Sequence, residues 1–317
     1  MRQDLSVKRF TLIRQKGPIL QPQVLQDTKD PCPVFDGRQW HMFGSVGSST
    51  VERWHIFHAV APEIEGPWTE LPPSELIGVQ GDHVAAPGLW WDGAWMHMFV
   101  QTDHAALGGK IEHLVSDDAG RTFTWIDTAL ASAPELGEAT IYDPHPAEIE
   151  GVRYIVYSGG AKVGAPDIHL ACSASGSWHG PWRRLGPILR HEDVPHHNVR
   201  DQPGYEWGLE GPQLVPLPDG TVLLNAVCFL PNREAGTRQR VFFAVADSPV
   251  GPYTTLGPML EPLMDVASWE SGENGHASAF LDDHKLMLFY QARGKGSDAK
   301  WRYGVAEFSV TYDEPAA

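Results

Sequence analysis

Three features of the 317-residue sequence predict an all-β fold: its composition, its turn signals and an internal repeat. The chain contains 32 Gly and 26 Pro, residues that favour tight turns between short strands. Hydrophobic residues make up 42% of the chain and charged residues 20%, which is typical of a globular protein. A unit of two apolar runs joined by a turn recurs five times, and the units start at residues 30, 86, 143, 210 and 276.

Each unit opens with a predicted β-hairpin. A polar or small residue, often followed by Pro as in Asp30-Pro31, leads into an apolar run, an acidic-Gly pair and a second apolar run. Asp-Gly between apolar runs, as at Asp36-Gly37 and Asp92-Gly93, is a strong hairpin signal because Gly accepts the positive φ of a two-residue turn. The hairpins supply the first two strands of each unit.

A second turn signal lies later in the units. Gly-Pro-aromatic triplets occur at Gly66-Pro67-Trp68, Gly180-Pro181-Trp182 and Gly251-Pro252-Tyr253, and Ser116 to Gly120 occupies the corresponding stretch of the second unit. Proline lacks a backbone donor and is tolerated at a sheet edge. These turns predict an outer pair of strands, so that each unit forms one four-stranded antiparallel sheet.

The last unit lacks one strand. Only about three strands follow residue 276, and the third ends near Thr311, so we expect the segment Leu5 to Arg14 to supply the fourth. The sequence therefore predicts a five-bladed β-propeller closed by an N-terminal strand, with residues 1–317 forming a single domain. The near-equal spacing of five units disfavours the alternative, a β-sandwich built of hairpins.

The charge of the chain limits its partners. Lys and Arg number 24 against 40 Asp and Glu, a formal net charge of −16, which argues against binding to nucleic acid or an anionic membrane. No run of about 18 apolar residues predicts a membrane span, and no apolar run near the start has the length of a signal peptide. Three cysteines without a CxxC spacing indicate neither a disulfide framework nor a zinc site. We therefore expect a cytoplasmic protein.

The starts of the five units carry the candidate catalytic groups. The innermost strands of a propeller run in one direction around a central channel, so residues at their starts converge at one mouth. These residues are Asp30, Ala86, Asp143, Glu210 and His276. Clustered carboxylates raise one another's pKa, and cleavage of a glycosidic bond requires one protonated and one ionised carboxyl group. The pattern therefore favours acid–base chemistry on a sugar.

Four short segments resemble the signatures of glycoside hydrolase family 43 and its relatives, which are five-bladed propellers. The segments are Thr28 to Pro31, Ile141 to Pro144, Leu209 to Pro212 and Gly275-His276. The resemblance implies that Asp30 is the general base, Asp143 a modulator of the acid and Glu210 the general acid, with inversion at the anomeric carbon. It also implies that His276 contacts a structural calcium or other ion in the channel, while the chemistry itself needs no cofactor.

Two departures from the family pattern bear on the mechanism. Lys29-Asp30-Pro31-Cys32 lacks the Asn-Asp-Pro-Asn start of the related fructan-hydrolysing families, which form a covalent intermediate, so inversion is favoured over retention. The family's Gly-His-Asn is here Gly275-His276-Ala277, which bears on the ion site.

Further residues near the predicted mouth are candidates for sugar binding. Aromatic faces pack against the C–H surface of sugars, while Arg and His donate hydrogen bonds. The predicted contacts are His83, His104, Trp207, Trp269 and Arg293. Glu270 and Glu273, which precede His276, are competing candidates for a catalytic role.

The sequence as a whole predicts an inverting glycoside hydrolase acting on a short pentose-containing oligosaccharide or glycoside, of the α-L-arabinofuranoside or β-xyloside type. A glycoside phosphorylase or an anhydrosugar-releasing hydrolase on the same fold is one alternative. A non-catalytic sugar-binding propeller is another. The sugar, the linkage, exo or endo action and the oligomeric state stay open.

Overall fold

A computed structural model of the chain describes residues 9–20, 27–47, 54–81, 83–103, 108–161, 166–195, 208–230, 238–261, 269–295 and 299–312. Five antiparallel sheets form a closed ring, which confirms the predicted five-bladed propeller. The first blade contains β2 (Asp27–Phe35), β3 (Trp40–Gly47), β4 (His55–Ala61) and β5 (Thr69–Glu70). The second contains β7 (Ala85–Trp91), β8 (Met96–Thr102), β9 (Lys110–Ser116) and β10 (Thr122–Ala131).

The remaining blades repeat this order of strands. The third contains β11 (Thr140–Ile149), β12 (Val152–Gly160), β13 (Asp167–Ser173) and β14 (Trp182–Leu189). The fourth contains β15 (Glu210–Pro216), β16 (Val222–Phe229), β17 (Gln239–Ala246) and β18 (Thr254–Pro258). The fifth contains β19 (Glu273–Asp282), β20 (Lys285–Arg293), β21 (Arg302–Thr311) and, at its outer edge, β1 (Arg9–Leu20).

The N-terminal strand closes the ring as predicted, although its bounds differ. β1 pairs antiparallel with β21, from Arg9 opposite Thr311 to Leu20 opposite Tyr303. The prediction ended the strand at Arg14, but irregularities after Leu12 and after Lys16 allow the pairing to continue along the whole partner strand. Residues 5–8 of the predicted strand lie outside the described residues.

One strand was not expected from the sequence. β6 (Glu75–Ile77) runs parallel to β10 and adds a fifth strand to the outer edge of the second blade. The segment that leaves the first blade thereby covers an otherwise open sheet edge, a common way to prevent edge-to-edge association.

The hairpin turns lie where the acidic-Gly pairs predict them. The glycines of four of these pairs have φ between 76° and 99°, and in the fifth turn Asp283 adopts a φ of 52° without a glycine. The Gly-Pro-aromatic triplets connect the third and fourth strands of their blades, and each contains a cis peptide bond before the proline.

The hydrophobic core is divided among the interfaces between blades. Five clusters of buried side chains each draw on two neighbouring blades, and one of them joins Phe57 of the first blade to Phe289 of the fifth. Short 3-10 helices occur at Pro134–Leu136 and His191–Asp193. Within the described residues, no helix is long and apolar enough to cross a membrane.

Candidate active site

The five innermost strands share one irregularity near their starts. Their pairing with the second strand shifts register at Lys29/Cys32, Ala85/Gly88, Tyr142/His145, Glu210/Gln213 and Gly275/Ser278. Each shift contains one residue in the left-handed region: Asp30 (φ 57°), Ala86 (50°), Asp143 (49°), Gly211 (56°) and His276 (33°). Positive φ is costly for residues other than Gly and persists where the surroundings enforce it, often at functional sites.

This alignment corrects the predicted equivalence of Glu210 with Asp30 and Asp143. In the fourth blade the left-handed position is held by Gly211, so Glu210 corresponds instead to Lys29 of the first blade. The spacing of the repeats alone could not resolve an offset of one residue. As a result, Glu210 reaches the site from a different backbone position than the two aspartates.

Side chains of the neighbouring blade hold the left-handed residues in place. The backbone N–H of Asp30 donates to Gln291 Oε1 at 2.9 Å, that of Asp143 to Gln101 Oε1 at 2.9 Å, and that of Ala86 to Ser45 Oγ at 2.8 Å. The acceptors all lie near the ends of second strands, which therefore return to the same mouth. Bonds of this kind preorganise the site because they fix the backbone from which the acids project.

The fourth blade departs from this pattern in a way that links two acids. The N–H of Gly211 donates to Asp143 Oδ2 at 3.0 Å, so a carboxylate takes the place of the neutral acceptor. Asp143 is thereby bonded to the residue that follows Glu210. This contact keeps the two carboxyl groups beside each other.

His276 lies at the centre of the three predicted acids. Its Nδ1 is 3.0 Å from Asp30 Oδ1 and 3.6 Å from Asp143 Oδ2, and its Nε2 is 3.3 Å from Glu210 Oε2. Tyr142 donates its hydroxyl to Glu210 Oε1 at 3.4 Å. The imidazole ring therefore stands between Asp30 and Glu210, and the structure brings all four predicted residues together.

The pKa values of the two aspartates are shifted in opposite directions. Burial acts to raise the pKa of Asp30, but the charge of Lys29 and hydrogen bonds from His276 and Ser45 outweigh burial and hold this pKa well below its usual range. Burial and the negative charges of Asp30 and Glu210 raise the pKa of Asp143 to about 6, against the attraction of His276. At neutral pH, Asp30 is therefore fully ionised and Asp143 lies close to its own pKa.

His276 supplies the balancing charge. Burial disfavours the imidazolium, yet attraction to Asp143 and hydrogen bonds to Asp30 and Glu210 raise the pKa of His276 to about 10. A protonated imidazole donates from both ring nitrogens, which is what contacts with carboxylates on both sides require.

The same geometry bears on the predicted ion. Asp143, Glu210 and His276 offer ligand atoms within 4.8 Å of one another. Calcium takes six to eight oxygen ligands, and a protonated imidazole has no lone pair for a metal. Two carboxylates and one imidazole supply too few oxygen ligands to hold a calcium ion by themselves, and no chemical step is assigned to a metal. A calcium ion held in the channel through water stays a prediction.

Two cavities lie beside the acids. One of about 30 Å³ lies in the channel and is lined by Pro31, Pro144, Pro212, His145 and Ser278, among others. The other, of about 250 Å³, opens on the side of the aspartates and is lined by Lys29, Asp30, Trp54, His83, Ala85, Gln101 and Asp143. His83 thus lies where the sequence predicted a sugar contact.

Two other residues that the sequence predicted as sugar contacts lie outside the described lining of this cavity. Trp269 stacks on Tyr290 at 6.1 Å between ring centroids and lies against Gly17 of β1 and Gly304 of β21, so it packs within the fifth blade. Arg293 donates to Glu273 at 2.8 Å and lies over the Trp301 ring at 4.7 Å, outside the cavity lining. Trp269 lies outside the described cavity lining, and its contact with a sugar stays a prediction. His104 and Trp207 lie outside the described residues.

The two competing glutamates already have structural partners. Glu270 accepts hydrogen bonds from Tyr290 at 2.7 Å and from Gln15 at 2.9 Å, which ties β1 to the fifth blade. Glu273 binds Arg293 and accepts from the backbone N–H of Arg238 at 3.1 Å. Neither lies against His276, so the catalytic interpretation does not extend to them.

Sequence reasoning missed two residues of the larger cavity, Lys29 and Trp54. Lys29 precedes the predicted base and was read only as part of a motif. Trp54 comes just before β4, in the connection that leaves the second strand of the first blade. β3 ends at the same mouth as the acids, as Ser45 shows, and this was the signal that could have identified Trp54.

Known structures resemble this fold closely over its whole length. The catalytic domain of a Coprinopsis cinerea GH62 alpha-L-arabinofuranosidase superposes with a TM-score of 0.70 at 13% identity, covering 95% of this chain and 97% of that chain. A thermostable family-43 glycoside hydrolase gives 0.66 at 18% identity, covering 91% of each chain. A Cellvibrio cellulosa alpha-L-arabinanase complexed with arabinohexaose superposes with a TM-score of 0.66 at 13% identity, covering 92% of this chain and 96% of that chain.

The chain has the fold of these proteins. The resemblance predicted from four short segments is thus confirmed at the level of architecture. No model of a known protein family matches the sequence, and no curated protein matches it either. The chemistry must therefore be argued from the site itself.

Proposed function

We propose that the protein is a glycoside hydrolase that cleaves its substrate with inversion at the anomeric carbon. The observation that carries the proposal is the set of three carboxyl groups from three blades around one imidazolium, with Asp30 held ionised and Asp143 near its pKa. Glycosidases need two carboxyl groups in opposite protonation states, on opposite sides of the scissile bond.

Glu210 is the proton donor in this mechanism. It is the most solvent-accessible of the three acids, with 19% of its side chain exposed against 11% for Asp30 and 7% for Asp143. It lies beside Asp143, which accepts a hydrogen bond at 3.0 Å from the backbone N–H of Gly211, the residue that follows Glu210. We infer that Glu210 protonates the leaving oxygen and that Asp143 sustains its acidity and orientation.

Asp30 is the general base. Its low pKa keeps it ionised, Ser45 donates to its Oδ2 at 2.6 Å, and it borders the cavity of about 250 Å³. We infer that Asp30 takes a proton from a water that attacks the anomeric carbon from the side opposite Glu210. Asp30 and Glu210 contact opposite nitrogens of the His276 ring, and inverting glycosidases use two carboxyl groups about 6.5 to 9.5 Å apart.

For the substrate, we propose a terminal pentose of the α-L-arabinofuranoside type. The described cavity has room for about one sugar ring, and the similar structures are named as arabinofuranosidases and arabinanases. A β-xyloside is the alternative pentose. Both sugars present hydroxyl groups and one apolar C–H face, which suits a cavity with polar side chains and one tryptophan.

The test is the release of free sugar from aryl glycosides and from arabinan, xylan and galactan oligosaccharides, with and without phosphate. Wild-type protein should release arabinose, and Glu210→Ala should not. Release that depends on phosphate would favour a phosphorylase instead. Binding of an oligosaccharide without any turnover would favour the sugar-binding alternative.

A further inference from the structure

Lys29 and Trp54 form one wall of the larger cavity, and no role has been assigned to them so far. Lys29 is the residue before Asp30 on β2, and its Nζ lies 5.7 Å from the centre of the Trp54 ring. Both side chains are half-buried, and both line the cavity next to the proposed base.

Neighbouring residues contact the backbone of Lys29 and the ring of Trp54 on the side away from the cavity. Tyr303, which is fully buried in the fifth blade, donates its hydroxyl to the backbone carbonyl of Lys29 at 2.7 Å. The indole of Trp54 rests on Gly47 at the end of β3, where an added Cβ would come within 2.8 Å of the ring. A side chain at Gly47 would therefore displace the tryptophan. A ring packed in this way loses little conformational entropy when a ligand binds.

The ammonium of Lys29 forms no close ion pair in the described part of the chain, although its charge acts on Asp30. No described carboxylate lies within 4.0 Å of its Nζ, whereas Lys110 and Lys285 each have such a partner. An ammonium has three donors and no acceptor, and contact with an aromatic face leaves its N–H groups free to bond elsewhere. The cavity is where an acceptor for them can enter.

The position of the wall indicates which part of a substrate it would meet. The cavity is lined by Asp30 and Asp143, and among the described residues its lining does not include Glu210. If Glu210 protonates the leaving group, the sugar that is cleaved off occupies this cavity. The wall therefore faces the sugar ring rather than the leaving group.

We propose that Lys29 and Trp54 select the sugar that is cleaved: Trp54 packs against its C–H face, and Lys29 donates a hydrogen bond to one of its hydroxyl oxygens. This inference rests on the proposed function and adds a specificity device to it. A hydrogen bond that only one arrangement of hydroxyls can accept discriminates between sugars, because other sugars leave the ammonium unpaired in the cavity.

The experiment pairs enzyme variants with substrate analogues. Wild type, Lys29→Met, Lys29→Arg and Trp54→Ala are assayed on 4-nitrophenyl α-L-arabinofuranoside and on analogues that each lack one hydroxyl. Lys285→Met, in a hairpin of the fifth blade, is the matched control. Lys29→Met should lower kcat/KM roughly tenfold to a hundredfold on the parent glycoside. One analogue lacks the hydroxyl that Lys29 contacts. On this analogue the kcat/KM of wild type should fall by the same factor, and the kcat/KM of Lys29→Met should not fall further.

Two results would overturn the inference. If Lys29→Met lowers kcat/KM by the same factor on every analogue, Lys29 acts through the charge of Asp30 and not through the sugar. An unchanged kcat/KM in Lys29→Met, with Trp54→Ala also unaffected, would mean that the wall does not contact the substrate. Thermal unfolding of each variant verifies that it is folded, and Lys29→Gln replaces any methionine variant that is not.

A binding measurement separates this inference from the proposed function. Calorimetry with L-arabinose should show weaker binding to Lys29→Met and to Trp54→Ala than to wild type. If wild type binds the sugar but cleaves no glycoside, the proposed function fails while the wall can still be confirmed. Equal affinity of all variants, or no binding of L-arabinose to wild type, contradicts the wall itself.

Discussion

His276 balances the charge of three carboxyl groups, and the site depends on that single imidazole. Its two nitrogens contact Asp30, Asp143 and Glu210 at 3.0 to 3.6 Å, and these contacts raise its pKa to about 10. A buried charge is stable only when it is paired, so the imidazolium and the ionised Asp30 support each other. The residue predicted as an ion contact thus contacts all three acids.

The predicted roles of the acids imply a large and selective loss on substitution. Asp30→Asn and Glu210→Gln should each lower kcat by about a thousandfold or more, because each removes a proton transfer from the transition state. Both variants should remain folded at the assay temperature, which circular dichroism verifies. Near-wild-type turnover by Asp30→Asn would refute its assignment as the base.

Removal of the imidazolium should shift the pH dependence. In His276→Gln, Asp30 loses the hydrogen bond and the positive charge that lower its pKa, so the pKa of Asp30 rises. The acidic limb of kcat/KM, which reports ionisation of the base, should therefore move to higher pH. His284→Gln, which replaces an exposed histidine, is the control and should leave the limb unchanged. An unmoved limb in His276→Gln would show that its charge does not act on the acids.

Single residues also mark the limits of sequence reasoning. Asp30, Asp143 and His276 were predictable as neighbours because the repeat places them at equivalent points of three blades. The offset of Glu210 was not predictable, since it depends on which residue of Glu210-Gly211 takes the left-handed conformation. The packing of Trp269 was not predictable either, because an aromatic residue near a predicted mouth has the same sequence signal whether it packs inward or faces a ligand.

The first and second blades each contain the same series of hydrogen-bonded side chains, one aspartate followed by two histidines. In the first blade, Asp36 Oδ2 is 3.1 Å from His41 Nε2, and His41 Nδ1 is 2.9 Å from His58 Nε2. The second blade repeats this arrangement with Asp92, His97 and His113, at 3.1 and 3.0 Å. The turn aspartate thus connects the second and third strands of its blade. Burial lowers the pKa of His58 to about 3 and that of His97 to about 4.

These histidines predict a loss of stability in mild acid. In the unfolded chain a histidine has a pKa of about 6.5, so the unfolded state binds the proton first as the pH falls. The stability they provide is complete above about pH 6.5 and declines from there towards pH 4. Each should contribute roughly 1 to 2 kcal/mol to the difference in unfolding free energy between pH 7 and pH 5. Urea denaturation at pH 7 and at pH 5 measures this difference in unfolding free energy, and the difference should be smaller in His97→Gln than in wild type. An equal difference in wild type and variant would contradict this account.

The packing of the N-terminal strand makes a second prediction at this scale. Trp269 fills the space between Gly17 and Gly304, so Trp269→Ala should leave a cavity that lowers stability by about 3 kcal/mol. The KM for an aryl glycoside should not change, because the tryptophan lies outside the described cavity lining. Chemical denaturation and steady-state kinetics test the two parts. A raised KM with unchanged stability would instead support the prediction of Trp269 as a sugar contact.

The molecule as a whole is a ring whose closure depends on both ends of the described chain. β1 pairs with β21, and Phe10 packs on Phe243 of the fourth blade at 5.1 Å between ring centroids. The number of blades and their closure were predictable from the repeat and its turns, since both are local patterns. The parallel strand β6 was not, because a three-residue strand at a sheet edge has no distinctive sequence pattern.

The central claim is that the protein hydrolyses a glycoside with inversion, using Glu210 as acid and Asp30 as base. The most direct test follows the hydrolysis of 4-nitrophenyl α-L-arabinofuranoside by proton NMR and identifies the anomer that forms first. The account predicts that β-L-arabinofuranose appears first with wild type and that Glu210→Gln releases no arabinose above background from an arabino-oligosaccharide, whose leaving oxygen needs a proton. Initial formation of the α anomer, or undiminished hydrolysis of the oligosaccharide by Glu210→Gln, would contradict it.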